Sequence, residues 1–226
     1  MKKIIYYSLI LVSFQVLSQG KIDRTLGDFS KVAVYDGINL ELIKSDKNKA
    51  EISGKNTKYV VVKNKNGDLK IRLNLERRFS GEKTKVKLFY KNVYTIVSHE
   101  GSNVFSKDTV EQSDISIKAN SGSRQNLIFN VNTLNSVAAT GGKIIASGKA
   151  NYHDSTVSTG AEIDSKKLIA NEAYITATTG GVVEVNVLDE LELNSKLGGI
   201  INVHEKTNKI TESISLGGTV NYLEQD

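Results

Sequence analysis

The chain of 226 residues contains no cysteine and only three histidines. The first absence excludes disulfides, thiolate metal centres, a cysteine nucleophile and the acylated cysteine that tethers a bacterial lipoprotein to its membrane. The second leaves little material for acid–base or metal chemistry, and no cofactor is expected. Charge of one sign is scarce too: 30 Lys and Arg against 25 Asp and Glu give +5, too weak a bias to point to nucleic acid or an anionic membrane as partner. Beyond the N-terminus no apolar run reaches the ~20 residues that a bilayer-crossing helix needs. What remains, 39% hydrophobic and 24% charged, is the composition of a soluble globular protein with one sizeable domain or two small ones.

Met1-Lys2-Lys3 followed by the apolar run Ile4 to Val12, continued by Phe14, Val16 and Leu17, has the three-part layout of a secretory signal peptide. Val16 and Ser18 suit the −3 and −1 positions of a cleavage site, so residues 1–18 are read as the signal and Gln19 as the mature N-terminus. The loss of Lys2 and Lys3 leaves 28 basic against 25 acidic residues, a mature charge of +3. The expected location is secreted, periplasmic or at the cell surface, with no membrane-spanning segment after cleavage. Residues 19–226 are read as a single domain whose texture changes near residue 92.

From about 29 to 92 the pattern is alternation broken by turns. Val32 and Val34 precede Asp36-Gly37, and Ile38, Leu40 and Leu42 follow, which reads as a β-hairpin because Gly supplies the positive φ of a two-residue turn. Asn66-Gly67 repeats the device between Tyr59–Val62 and Leu69–Leu75, and a further strand is expected at Val86–Tyr90. Glu76 to Lys85 is polar without an apolar period and reads as an exposed, solvated loop, its Arg77-Arg78 pair included.

From about 93 to 226 the chain repeats. Gly101, Gly122, Gly141, Gly160, Gly180, Gly198 and Gly217 follow one another at 21, 19, 19, 20, 18 and 19 residues, a period of about 19. Three residues after each Gly stand Val104, Gln125, Ile144, Ile163, Val183, Ile201 and Val220, almost all β-branched and apolar. Four after it stand Phe105, Asn126, Ile145, Asp164, Glu184, Asn202 and Asn221, mainly polar. Three before it stand Ser98, Ala119, Ala138, Val157, Ala177, Ser195 and Ile214, uncharged and mostly small. Apolar at one position and polar at the next is the period-two signature of strands with one buried face, and Val, Ile, Thr and Gly in every unit argue against helix. The expected fold is all-β: a parallel β-solenoid of about seven coils, each with like residues stacked on like at the ~4.8 Å strand spacing. The earlier region should cover the N-terminal edge of that stack, leaving the C-terminal edge near Asn221-Tyr222 open.

A Gly37-Ile38-Asn39 turn after Phe29-Ser30-Lys31-Val32, followed by an array of Ser/Thr-Gly coils, resembles the bacterial "putative autotransporter adhesin, head GIN domain" family. The resemblance runs from about Phe29 to Leu223. It implies a β-solenoid with a β-rich start, of the kind common in secreted proteins of Bacteroidetes-type bacteria. It carries no catalytic residues to transfer, and its adhesin label is one of analogy.

Local catalytic and metal-binding motifs are absent: no Gly-x-Ser-x-Gly elbow, no His-Glu-x-x-His, no phosphate loop and no calcium-binding Gly-Gly-x-Gly-x-Asp. His99, His153 and His204 fall in three unrelated registers of three separate coils, so no stacked histidine pair is expected. The outward column offers Asp164 and Glu184 in adjacent coils, stacked about 5 Å apart, near the carboxyl separation of a retaining glycosidase. Asn202 and Asn221 continue it either as a structural ladder of hydrogen-bonded amides or as a polar strip for sugar hydroxyls. Asp164, Glu184, Asn202 and Asn221 are therefore the candidate ligand-binding residues, with no catalytic or metal residue expected. The function expected is a non-catalytic adhesin-like module that binds a glycan, another cell-surface polymer or a partner protein. A glycan-active β-helix enzyme and a structural protein of the cell envelope are the alternatives.

Overall fold

The computed structural model describes residues 21–223, so the segment read as a signal peptide lies outside the described residues. Apart from two 3-10 turns at Thr57–Tyr59 and Leu75–Arg77, every regular element among the described residues is a strand. The first eight strands are short: β1 Ile22–Thr25, β2 Lys31–Val34, β3 Asn39–Lys44, β4 Lys49–Gly54, β5 Val60–Lys65, β6 Asp68–Leu73, β7 Thr84–Tyr90 and β8 Thr95–Ser98. Five long ones follow, β9 Asn103–Asn120, β10 Arg124–Ala139, β11 Lys143–Val157, β12 Glu162–Thr178 and β13 Val182–Lys196. The chain ends in β14 Ile200–Val203, β15 Lys209–Ser215 and β16 Thr219–Tyr222.

The long strands stack in parallel, one coil on the next, and build the β-solenoid that the repeat predicts. The register is the expected one: Val104, Gln125, Ile144, Ile163, Val183, Ile201 and Val220 pair in succession. All but Val220, in the last coil, are fully buried. The column three residues before each Gly, from Ser98 to Ile214, stacks the same way on the opposing side of the core. Along β10 the inward positions are 125, 127, 129 and 131 and then 134, 136 and 138, so the alternation slips where two successive residues face outward. Such slips keep both limbs of a coil facing one interior. At this one, Asn151 donates an amide N–H to Asn132 at 2.8 Å and Asn171 donates to Asn151 at 3.2 Å, a short ladder of amides on the outside of the stack.

Gln125 is the one polar member of its apolar column. Its Nε2 donates to Lys118 O at 2.8 Å and to Ser98 Oγ at 3.0 Å, so the serine at the head of the opposing column is what accommodates it. The amide nitrogen is thereby satisfied, while the buried Oε1 is left without a partner, so the site carries part of the cost of a buried polar group.

Asp36-Gly37 corrects the expected hairpin. Asp36 and Gly37 have φ of 63° and 77°, matching Glu100 and Gly101 at 54° and 69°. The strands on either side do not pair with each other: β2 pairs in parallel with β6 and β8, and β3 with β7 and β9. This turn is a corner of the solenoid itself, directly in line with the later glycine corners. Two consecutive left-handed residues reverse the chain in both settings, and the neighbouring coils decide whether the flanking strands take each other or take partners above and below. The buried Asp36 carboxylate fixes the corner by accepting backbone N–H bonds from Leu73 at 2.9 Å and Phe79 at 3.3 Å.

Asn66-Gly67 does form a hairpin, with Val60 opposite Leu73 and Lys65 opposite Asp68 in antiparallel β5–β6. The polar loop is also where it is expected, although β7 starts at Thr84 and takes its last two residues; Arg78 lies against Glu100 at 3.2 Å. At the N-terminal end β7 extends one face in parallel with β3 and is followed by antiparallel β4 and β1, while β6 extends the other in parallel with β2 and is followed by antiparallel β5. At the C-terminal end, among the described strands, β15 pairs only with β13 and β16 only with β14.

Candidate functional site

The four candidate residues share one column. Asp164 is in register with Glu184, Glu184 with Asn202 and Asn202 with Asn221, so β12, β13, β14 and β16 present them side by side on the outer face. Three of the side chains are already bonded in a row. Asn221 Nδ2 donates to Asn202 Oδ1 at 2.8 Å and Asn202 Nδ2 donates to Glu184 Oε1 at 2.6 Å. Asp164 stands apart from this chain of bonds, its carboxylate 3.3 Å from the Lys166 ammonium.

A fifth member was not legible from histidine spacing. His204 Nε2 lies against the second oxygen of Glu184, so both carboxylate oxygens of that residue are engaged. Comparing the histidines only with each other hid this contact. The signal was present elsewhere: positions four and six after the glycine face the same way on a strand, which brings a residue at six beside the carboxylate at four in the preceding coil. His204 also lines a cleft of about 600 Å³ at the open end, with Val203, Lys206, Thr207, Ile210, Tyr222 and Leu223. The strip and the cleft therefore adjoin through one imidazole.

The other two histidines sit elsewhere, as their registers predict. His99 stacks on Tyr35 with ring centroids 4.8 Å apart, and burial pushes its pKa down. His153 is inside the core, where its Nε2 meets Ser136 Oγ at 2.8 Å. Among the described residues no group of three or more His, Cys, Asp or Glu is placed to hold a metal ion, and no helix is long and apolar enough to cross a membrane.

This arrangement has close counterparts in fold. A "putative adhesin" from Bacteroides fragilis superposes with a TM-score of 0.83 at 15% identity, over 90% of this chain and 96% of that one. A "putative adhesin" from Parabacteroides distasonis gives 0.68 at 21% identity, over 90% and 96% of the two chains. A "Putative lipid binding protein" from the same species gives 0.70 at 17%, again over 90% and 96%. No curated protein matches the sequence. The family described as "Putative auto-transporter adhesin, head GIN domain" matches residues 28–207. That span takes in the Asp36-Gly37 corner, the hairpin end and the stacked coils as far as the loop after β14, and the chain belongs to this family.

Proposed function

We propose that this protein is a non-catalytic, extracytoplasmic adhesin-like module whose outer strip binds an extended glycan, another cell-surface polymer or a partner protein. The observation that carries the reading is the in-register column Asp164–Glu184–Asn202–Asn221 on rigid stacked strands. It offers polar groups at one coil's spacing, and preorganised groups bind without the cost of ordering them. Asn221 at its end still has a carbonyl oxygen and a second amide hydrogen free of ladder bonds. Such binding should survive chelation and depend only mildly on salt, given a mature charge of +3. The test is a glycan and cell-surface binding screen of the wild type and the double variant Asn202→Ala/Asn221→Ala, with thermal unfolding in parallel. Weakened binding at unchanged stability supports the reading; lost stability at unchanged binding makes the column a structural ladder alone.

The second reading, a glycan-active enzyme, draws on the Glu184–His204 contact with Asp164 in the next coil. Against it, Asp164 is held by Lys166 and both oxygens of Glu184 are already engaged, so the two carboxylates do not converge on open space. Turnover of any glycan that Glu184→Gln abolishes would establish the enzyme. An extracytoplasmic location rests on the signal-like residues 1–18, and N-terminal sequencing of the exported protein should begin near Gln19.

A further inference from the structure

Among the described residues nothing covers the interior of the last coil. Through successive strands Ile117, Ser136, Ser155, Ile175, Leu193 and Glu212 form one inward column, buried at every level below the last. The last level is a carboxylate. It is flanked on β15 by Ile210 and Ile214, which continue the columns of Leu191 and Ser195 and are 36% and 48% exposed. Across the mouth, Tyr222 of β16 continues Val203 and donates its hydroxyl to Glu212 Oε2 at 3.1 Å. That bond joins the two limbs of the coil and shows that both side chains point over the core. Burial and the Glu212 charge together raise the Tyr222 pKa. Lys209, on the same strand, is held by Glu190 at 2.6 Å, so it does not neutralise Glu212.

We propose that this end accepts an extended strand of a partner protein with the alternation apolar, basic, apolar, added in register along β15 so that its Lys or Arg meets Glu212. β15 is seven residues long and pairs with β13 alone among the described strands, so a row of backbone donors and acceptors faces outward. A strand added at the usual spacing sets its alternate side chains over Ile210, Glu212 and Ile214. The two isoleucines and Tyr222 then gain apolar cover, and the carboxylate, which that cover would strip of water, gains its counter-ion. A second copy is a poor occupant. Glu212 is the central residue of β15, so antiparallel pairing of two such edges sets the two carboxylates opposite each other. This proposal is independent of the outer strip and does not rest on it.

The test is an NMR titration of the mature, isotope-labelled chain with two capped heptapeptides, Thr-Ile-Thr-Lys-Thr-Ile-Thr and the same peptide with Glu in place of Lys. Resonances of β15 and β16 should shift, and the Lys peptide should bind roughly tenfold more tightly than the Glu peptide, the step that a partly desolvated ion pair supplies. Glu212→Lys should reverse the preference and Glu212→Gln should erase it, with the remaining spectrum reporting that each variant is folded. Equal binding of the two peptides, a preference that Glu212→Lys leaves intact, or no shift at millimolar peptide would overturn the proposal. So would a concentration-dependent mass in light scattering that Glu212→Gln increases without any response to peptide, which would assign the end to a second copy.

Discussion

At the scale of the residue, the most consequential side chain is one that the repeat does not single out. His153 lies wholly inside the core, with Ser136 as its partner at Nε2 and none at Nδ1. Burial pushes its pKa down from 6.5 to about 4, because a low-dielectric interior disfavours the cation. The consequence for stability has a definite sign. Below pH 6.5 the unfolded chain takes up a proton that the folded chain refuses until about pH 4. Stability is therefore complete above that window, falls as the pH drops through it, and loses about 3 kcal/mol from this group in all. Urea unfolding measured across the window should show the loss, and His153→Leu, which keeps an apolar side chain of similar size in the column, should flatten it. A slope identical in the two proteins would mean that carboxylates elsewhere carry the acid sensitivity. The sequence did hold the sign that His153 points inward, because its column carries Ile115, Leu134, Ala173 and Leu191 in the neighbouring coils, but a comparison of the histidines with one another alone passes over that apolar column. Glu184 and the two asparagines were legible because their own column, read residue by residue, is polar in successive coils.

At the scale of the element, the corner is the unit to explain. Each pairs a glycine with a preceding residue in the left-handed region, and at Thr140 that residue is β-branched with φ of 52°. Left-handed backbone strains a side chain branched at Cβ, while asparagine adopts it readily. Thr140→Asn should accordingly raise stability by about 0.5–1 kcal/mol in denaturant titrations, and no gain would mean that the neighbouring coils, not the local backbone, set the energy of the corner. The two glycines that follow differ in kind. Gly141 has φ of 69° and open space where a Cβ would stand, whereas a Cβ on Gly142 would collide with the Ala119 carbonyl oxygen of the coil before. Gly141→Ala then meets backbone strain alone, about 1 kcal/mol, and Gly142→Ala meets a clash between coils, about 2–3 kcal/mol. The reverse order in measured unfolding would show that the stack yields more easily than the turn. These corners were legible as turns but not as corners of a stack in every case. Asp36-Gly37 has the local signature of a hairpin, and its true partners come from strands separated from it by the hairpin and the polar loop, which no periodicity reaches.

At the scale of the whole molecule, a solenoid differs from a globule because each coil rests on its two neighbours and on nothing else. Among the described strands the long ones pair with one another in the order β9 to β13, each with the coil before and the coil after, so the stability of the stack is close to a sum of coils and the interfaces between them. The regular period made this much of the fold legible, since like residues above like is a statement about sequence as well as about space. The extent of the stack was not legible at its beginning, where β2 and β3 enter it across a long insertion. The same one-dimensional logic predicts that an identical substitution has different consequences along one column. Ile163 and Val220 occupy equivalent positions, but Ile163 is fully buried with coils on both sides and Val220, among the described residues, has a coil on one side only. Ile163→Asp sets an unpaired charge between two coils, at a cost of several kcal/mol that rivals the stability of a domain. It should unfold the chain, as seen in loss of the β-rich circular dichroism spectrum. Val220→Asp sets the charge at the open mouth, where water reaches it, and should free only β15 and β16. Hydrogen exchange would read this as lost protection in the last coil with the earlier coils unchanged. Loss of protection throughout the stack on Val220→Asp would mean that the open end holds the whole molecule together, and that the coils do not melt as neighbours but as one body.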